Sequence, residues 1–203
     1  MSDHYYSNHP QSEVITETKE YRLRHHTLKL TSGTGVFSKK GIDFGSQVLM
    51  ETFEPPSISG DFLDLGCGYG PIGLTIAKEF TDRHIYMVDV NDRAIQFARE
   101  NAKQNNISNV TIQQSDGFET ISDRRFASVI TNPPIRAGKK VIFTFFEKSF
   151  EQLDDGGELW VVIQKKQGAP STIKHLETMF QQVDVVAKKK GYFIIRAHKG
   201  KLD

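Results

Sequence analysis

Cysteine is nearly absent. Cys67 stands alone among 203 residues, so the chain cannot close a disulfide on itself. Long apolar runs are missing too, and none approaches the ~20 residues that a bilayer-spanning helix needs. The opening residues, MSDHYYSNHPQSE, hold neither an apolar core nor a basic leader. A strong excess of either charge is lacking. With 26 Lys and Arg against 25 Asp and Glu, the whole molecule has no strong pull toward nucleic acid. No internal repeat, low-complexity tract or long linker interrupts the chain. These absences exclude a disulfide scaffold and a helical membrane protein, and they fit the cytoplasm. What is present, 37% hydrophobic and 25% charged residues, suits a globular domain with a sizeable core.

From residue 61 onward, strand-like and helix-like periodicities alternate. DFLDL (61–65), HIYMVDV (84–90), NVTIQQ (109–114), FASVIT (126–131) and GELWVVIQ (157–164) read as strands. GPIGLTIAKEF (70–80), NDRAIQFARENAKQNN (91–106), KKVIFTFFEKSFEQL (139–153) and PSTIKHLETMF (170–180) read as helices. Ahead of them, EYRLRHHTLKLT (20–31) suggests a small hairpin, and FGSQVLMETF (44–53) a helix that stops before Pro55 and Pro56. The alternation implies an α/β, doubly wound, mostly parallel sheet with helices on both faces. The last segment, VDVVAKKKGYFIIRAHK, reads as two strands joined by a tight turn at Gly191. So short a link cannot make a right-handed crossover, so the last strand must be antiparallel. The aromatic group Phe143, Phe145, Phe146 and Phe150 reads as core.

DLGCGYGPIG (64–73) joins the first of these strands to its helix. Gly66, Gly68 and Gly70 allow a sharp turn and a close approach to a ligand, and the helix start behind them offers free N–H groups. A dinucleotide-binding turn runs G-x-G-x-x-G, and its third glycine would fall on Pro71. Asp64, just ahead of the turn, would repel a pyrophosphate and attract an amino group. The pattern favours an amino-acid-bearing nucleoside, of which S-adenosyl-L-methionine is one. Cys67 reads as a small side chain in a crowded turn. Asp89 ends the next strand, 23 positions after Gly66. There it would face ribose hydroxyls, or else cap the helix from Asn91. Val90 would touch the purine. Asp116, with Gly117 behind it, would accept from an adenine amine, or simply form a Ser-Asp-Gly turn.

Asn132, Pro133, Pro134 and Ile135 follow the fourth strand at the same rim. Two prolines make a stiff corner with little entropy to lose on binding. The Asn132 side-chain carbonyl and the Pro133 carbonyl would hold both hydrogens of a flat NH₂ group. That grip favours a pyramidal nitrogen with its lone pair aimed at a methyl donor.

In this order, DLGCGYGPIG, VDVN, SDGF and NPPI resemble the motifs of class I S-adenosylmethionine-dependent methyltransferases. With GVFSKKGIDFGSQVLME (35–51) added, the chain is similar to the small-subunit ribosomal RNA guanine-N2 methyltransferases over roughly residues 20–200. The resemblance implies a Rossmann-like, seven-stranded sheet with an N-terminal hairpin and helix as an extension. It implies S-adenosyl-L-methionine as cofactor, held at Asp64, Gly66, Gly68, Asp89 and Asp116, and a target amine held by Asn132 and Pro133. The implied partner is ribosomal RNA or a small-subunit particle, with no metal and no membrane, for a monomer or homodimer. We expect residues 1–18 to be flexible and 19–203 to form one domain, with 19–56 covering substrate and cofactor. Larger family members carry a second, degenerate copy of the domain. There is no room for one here, so docking is expected to use other surfaces or a second subunit. Many amino-methyltransferases have an aromatic residue where this chain has Ile135, and Phe37 could supply the missing ring.

Lys39, Lys40, Arg136, Lys139 and Lys140 flank the proposed site and could hold phosphates. KKKGYFIIRAHKGK, from Lys188, carries six Lys and Arg and no acid. It is either a solvated face or an edge that tracks phosphates, to which Lys165 and Lys166 could add. Other readings stay open. The same corner could serve adenine or a protein glutamine. The sheet could serve a nicotinamide oxidoreductase, or the chain could be a non-catalytic RNA-binding module with a retained pocket.

Overall fold

The computed structural model describes residues 15–34 and 41–200. Strands β1 (Thr16–Leu23) and β2 (His26–Gly33) pair as an antiparallel hairpin. There follow α1 (Phe44–Thr52), β3 (Phe62–Leu65), α2 (Pro71–Glu79), β4 (Ile85–Asp89), α3 (Asp92–Gln104), β5 (Val110–Gln114) and β6 (Phe126–Thr131). The chain then runs through α4 (Lys139–Gln152), β7 (Leu153–Gln164), α5 (Ala169–Leu176), β8 (Gln182–Lys189) and β9 (Tyr192–His198). Seven strands form one sheet in the order β5-β4-β3-β6-β7-β9-β8. Strands β3 to β7 pair in parallel, and β9 runs antiparallel to both its neighbours.

This is the Rossmann-like sheet expected from the alternating pattern. The final strand is antiparallel as anticipated, and it sits between β7 and β8 rather than at an edge. The chain starts in the middle at β3, moves out to β5, then returns to β6. The order therefore reverses between β3 and β6, which is where ligands settle on such sheets.

Each face of the sheet buries its own apolar layer. On one, Phe53, the residue just after α1, meets the rings of Phe62 and Trp160 edge-on, at 5.7 and 5.2 Å between centroids. On the other, Phe126, Phe146 and Leu159 are fully enclosed. The hairpin is longer than the pattern suggested, because β1 is polar on both faces and lacks a clean alternation. Buried Asn101 of α3 ties it down. Its Oδ1 accepts from Thr31 N–H at 2.8 Å, while its Nδ2 donates to the Thr31 and Tyr69 carbonyls at 2.9 and 2.8 Å.

Strand β7 starts at Leu153, which reads as the end of the preceding helix, four residues before the strand expected from 157, and its register against β6 shifts between Phe126 and Ser128. Gly156, at φ +81°, takes the left-handed conformation inside this irregularity, which is why Asp-Asp-Gly-Gly imitates a loop. Among the described residues no helix is long and apolar enough to cross a membrane.

The β8–β9 turn has two residues beyond the paired Lys189 and Tyr192: Lys190 at φ 47° and Gly191 at φ 78°. Two left-handed residues match the twist of a tight hairpin. A Cβ at Gly191 would meet nothing within 4 Å, so Gly191→Ala tests backbone strain alone. It should cost roughly 1–2 kcal/mol in urea unfolding. An unchanged midpoint would mean that the turn has another shape.

Candidate functional site

The carboxyl ends of β3, β4, β5 and β6 surround a cavity of about 380 Å³. Its floor is the loop between β3 and α2, where Gly66, Gly68 and Gly70 have φ of 77°, 56° and 100°. A side chain at Gly66 would meet nothing within 4 Å, so a ligand has room to approach the bare backbone. Gly68 and Asn91 each donate a backbone N–H to Asp89, to Oδ2 at 2.8 Å and Oδ1 at 2.9 Å. The cap of α3 is Asn91, whose Oδ1 accepts from Ala94 N–H at 3.1 Å. Asp89 is thus free of the capping role and stays on the cavity wall beside Val90. Asp116, exposed, also lines the cavity, next to Gly117.

Asp64 occupies a different place from the one its sequence position suggests. It lies beneath the loop, fully buried, rather than on the cavity wall. Its Oδ2 accepts from Gly73 N–H at 2.7 Å, and its Oδ1 has no partner. Burial pushes its pKa up to about 7; the Gly73 N–H opposes this and the Asp89 charge adds to it. Gly70 is likewise behind the wall, as the left-handed residue that starts α2. Cys67 lines the cavity but is buried, and burial followed by the charges of Asp64 and Asp89 pushes its thiol up, so it is a poor nucleophile.

The corner after β6 is built by a helix 86 to 89 residues away in sequence. Asn132 Nδ2 donates to Ser46 Oγ at 2.9 Å and to Asp43 Oδ2 at 3.3 Å. Asp43 is also the N-cap of α1, its Oδ1 accepting from Ser46 N–H at 3.0 Å. An ionised carboxylate only accepts, so the amide must turn its NH₂ toward α1 and leave its carbonyl oxygen for the cavity. Asp43, Ser46, Asn132 and Pro134 all line that wall. Pro133 is buried and does not, and the Pro134 carbonyl is engaged by Ala137 N–H at 2.8 Å. The expected two-acceptor grip is therefore reduced to Asn132 on the wall. Ile135 and Arg136 begin a 3-10 turn outside the cavity. Lys139 is exposed at the start of α4, 5.1 Å over the Phe143 ring. Phe37, Lys39 and Lys40 lie outside the described residues.

Sequence reasoning missed several wall residues, among them Asp43, Ser46, Val141 and Phe145. Asp43 and Ser46 carry no local mark beyond a helix-capping pattern. Phe145 reads as core, and half-exposed Val141 sits one turn earlier on the same face of α4. Phe145 packs so near Gly117 that a Cβ there would lie 3.3 Å from its ring. The set suits an amino-acid-bearing nucleoside. It offers an orphaned buried oxygen on Asp64, open backbone at Gly66, carboxylates at Asp89 and Asp116, and apolar walls. Among the described residues no cluster of His, Cys, Asp and Glu could hold a metal ion.

A family model for the methyltransferase small domain matches residues 27–196. YbxB, a protein of Bacillus subtilis (strain 168), is 57% identical over 200 residues, which cover 98% of this chain and 100% of that protein. Ribosomal RNA small subunit methyltransferase C of Vibrio cholerae is 31% identical over 181 residues, covering 86% of this chain. The chain spans about half the length of that relative, 50%. A T. thermophilus 16S rRNA N2 methyltransferase, RsmC, solved with AdoMet and guanosine, superposes with a TM-score of 0.81 at 22% identity. That match covers 94% of this chain and 52% of the other.

Asp64 carries a testable consequence. Its carboxyl titrates at about 7 in the fold, against about 3.9 in an unfolded chain. With the folded value raised, its contribution is intact below pH ~4 and is lost as the pH climbs to ~7, a change of up to about 4 kcal/mol. Asp64→Asn keeps an acceptor for Gly73 N–H and cannot ionise. Relative to wild type it should be more stable at pH 8 than at pH 5 in thermal unfolding of the ligand-free protein. A difference independent of pH would overturn the assignment.

Proposed function

The chain belongs to the methyltransferase small domain family and takes its methyl group from S-adenosyl-L-methionine; on that premise we propose that it methylates the N2 amine of a guanine in small-subunit ribosomal RNA. One observation carries this reading: the Asn132 amide has a fixed sense. With its NH₂ committed to Ser46 and Asp43, only its carbonyl oxygen is available to a substrate. An acceptor at that point binds a flat amino group through an N–H and draws its lone pair out of conjugation with the ring.

The donor, when bound, supplies an electrophilic methyl on a sulfonium. The open backbone at Gly66 would lie against its amino-acid end, with Asp64 below the loop. Asp89 would accept from ribose hydroxyls and Asp116 from the adenine amine, with Val90 against the ring. Asn132 would orient the target nitrogen for the transfer, in which an N–C bond forms as the donor's S–C bond breaks to leave a neutral thioether, and the methylated amine would shed one proton to water. Pro134 keeps the corner stiff, so little order is lost on binding.

Asp43 favours guanine over the other amines this corner could serve. Its carboxylate stands on the cavity wall, 3.3 Å from the Asn132 amide nitrogen. Guanine presents a second donor, N1–H, beside its N2 amine, which an acceptor-only group welcomes. Adenine presents a lone pair at that place, and glutamine a carbonyl oxygen. The V. cholerae relative, a ribosomal RNA small subunit methyltransferase, supports ribosomal RNA as the substrate, and the T. thermophilus neighbour, a 16S rRNA N2 methyltransferase solved with guanosine, supports the guanine amine.

Mass spectrometry of small-subunit rRNA nucleosides with and without the gene tests the reading. Loss of one N2-methylguanosine is the expected result. Label transferred only to adenine or to protein would overturn it. Asn132→Ala should lower kcat at least ~100-fold while donor affinity stays within a few-fold. Asp43→Asn keeps a competent cap for α1 but sets an NH₂ against the Asn132 NH₂. It should lower kcat roughly 10- to 100-fold at unchanged thermal stability.

A further inference from the structure

Charge is sorted along the carboxyl rim of the sheet. On the β5-β4-β3 side, the strand ends carry Asp116, Asp89 and Asp64. On the β6-β7-β9-β8 side the loops carry cations. Arg136, Lys139 and Lys140 follow β6, Lys165 and Lys166 follow β7, and Lys188, Lys189 and Lys190 approach the β8–β9 turn. All eight are exposed. The chain has no Asp or Glu between Leu159 and Leu176, nor between Val185 and Gly200. Among the described residues, no carboxylate lies within salt-bridge distance of Lys165, Lys166 or the three lysines 188–190.

Two of these loops form a cleft of about 580 Å³, lined by Gln164, Lys165, Lys166, Pro170, Lys190 and Gly191. A backbone hydrogen bond from Lys165 N–H to the Gly191 carbonyl, 2.8 Å, holds the loops together. The cleft borders the proposed catalytic corner. Lys190 Nζ lies 4.7 Å from the centroid of the Phe44 ring, and Phe44 directly follows Asp43, the partner of Asn132. Three ammonium groups without carboxylate partners, one of them beside the residue that follows Asp43, suit the phosphates of a polyanion.

We propose that this cleft is the docking track for the RNA backbone next to the target nucleotide. The proposal rests on the reading of the site as an RNA methyltransferase. The donor then occupies the acidic half of the rim and the RNA the basic half, and the two meet at Asn132. Phosphate contacts fix the register and carry no sequence information, so the cleft positions a strand whose base is read elsewhere, at the corner.

The test uses the full chain and small-subunit rRNA transcribed in vitro. Compare wild type with the triple variant Lys165→Glu, Lys166→Glu, Lys190→Glu. A milder variant has Gln at the same three positions, and a control has Lys103→Glu and Lys148→Glu, two exposed lysines away from the cleft. RNA affinity by fluorescence anisotropy is measured over a salt series, beside transfer kinetics, donor affinity and thermal stability. The Glu variant should raise Kd and KM for RNA at least ~10-fold and reduce the salt slope by about 2, with donor affinity and kcat at saturation unchanged. The Gln variant should move the same way by less, and guards against misfolding of the other. An RNA affinity no worse than the control's would sink the proposal, as would wild-type binding to anionic lipid vesicles but not to RNA. Cleft-dependent RNA binding without methyl transfer to any RNA would leave the track standing and overturn the proposed function instead.

Discussion

An amide can donate or accept on either side, so Asn132 has no chemical direction until its neighbours supply one. Asp43 and Ser46 supply it, and they reach Asn132 only because α1 is docked against the sheet. That docking is apolar. Leu49, Met50 and Phe53 are fully buried, and Phe53 locks edge-on against Phe62 and Trp160. The first turn of α1 comes close because Gly45 has no side chain; a Cβ there would lie 2.6 Å from the Tyr192 ring. A residue on α1 that touches no ligand can thus change the proposed chemistry by shifting a helix end. Aromatic packing, a helix cap and the sense of one amide form a single causal chain.

The other half of the site depends on keeping carboxylates out of water. Asp64 and Asp89 are both buried, and they are held by backbone N–H groups of the loop and helix they serve. Gly68 N–H is bound to Asp89 and Gly73 N–H to Asp64, so the two acids shape the glycine loop before any ligand arrives. The cost is electrostatic. Asp64 sits near neutrality with one oxygen unsatisfied, a state that a cationic amine close to the loop would relieve.

Much of this was legible in the sequence. The repeating strand-and-helix pattern placed β3 to β6, the later part of β7 and their helices, because each strand carries an apolar run and each helix has a clear start. The acids at strand ends and the glycine turn fell on one rim because a parallel sheet puts them there. What escaped was non-local or two-faced. The contact of Asp43 with Asn132 spans 89 positions and leaves no periodic trace. Phe145 follows the spacing of a core residue because the cavity opens on the same face of α4 that packs on the sheet. Asp64 was placed at the right strand end, but strand periodicity does not say whether a terminal side chain faces the cavity or the helix behind it.

Topology also decides which loops the RNA could meet. Had β9 run parallel to β7, with β8 still its antiparallel hairpin partner, their turn would have lain at the opposite rim. Because β9 runs antiparallel between β7 and β8, its first residue, Tyr192, pairs with the last of β7, Gln164. The lysines at 188–190 are therefore carried to the same rim as Lys165, Lys166 and the Asn132 corner. An antiparallel final strand is usually noted as a signature of the fold. In this chain it also delivers the basic hairpin to the rim that holds the Asn132 corner.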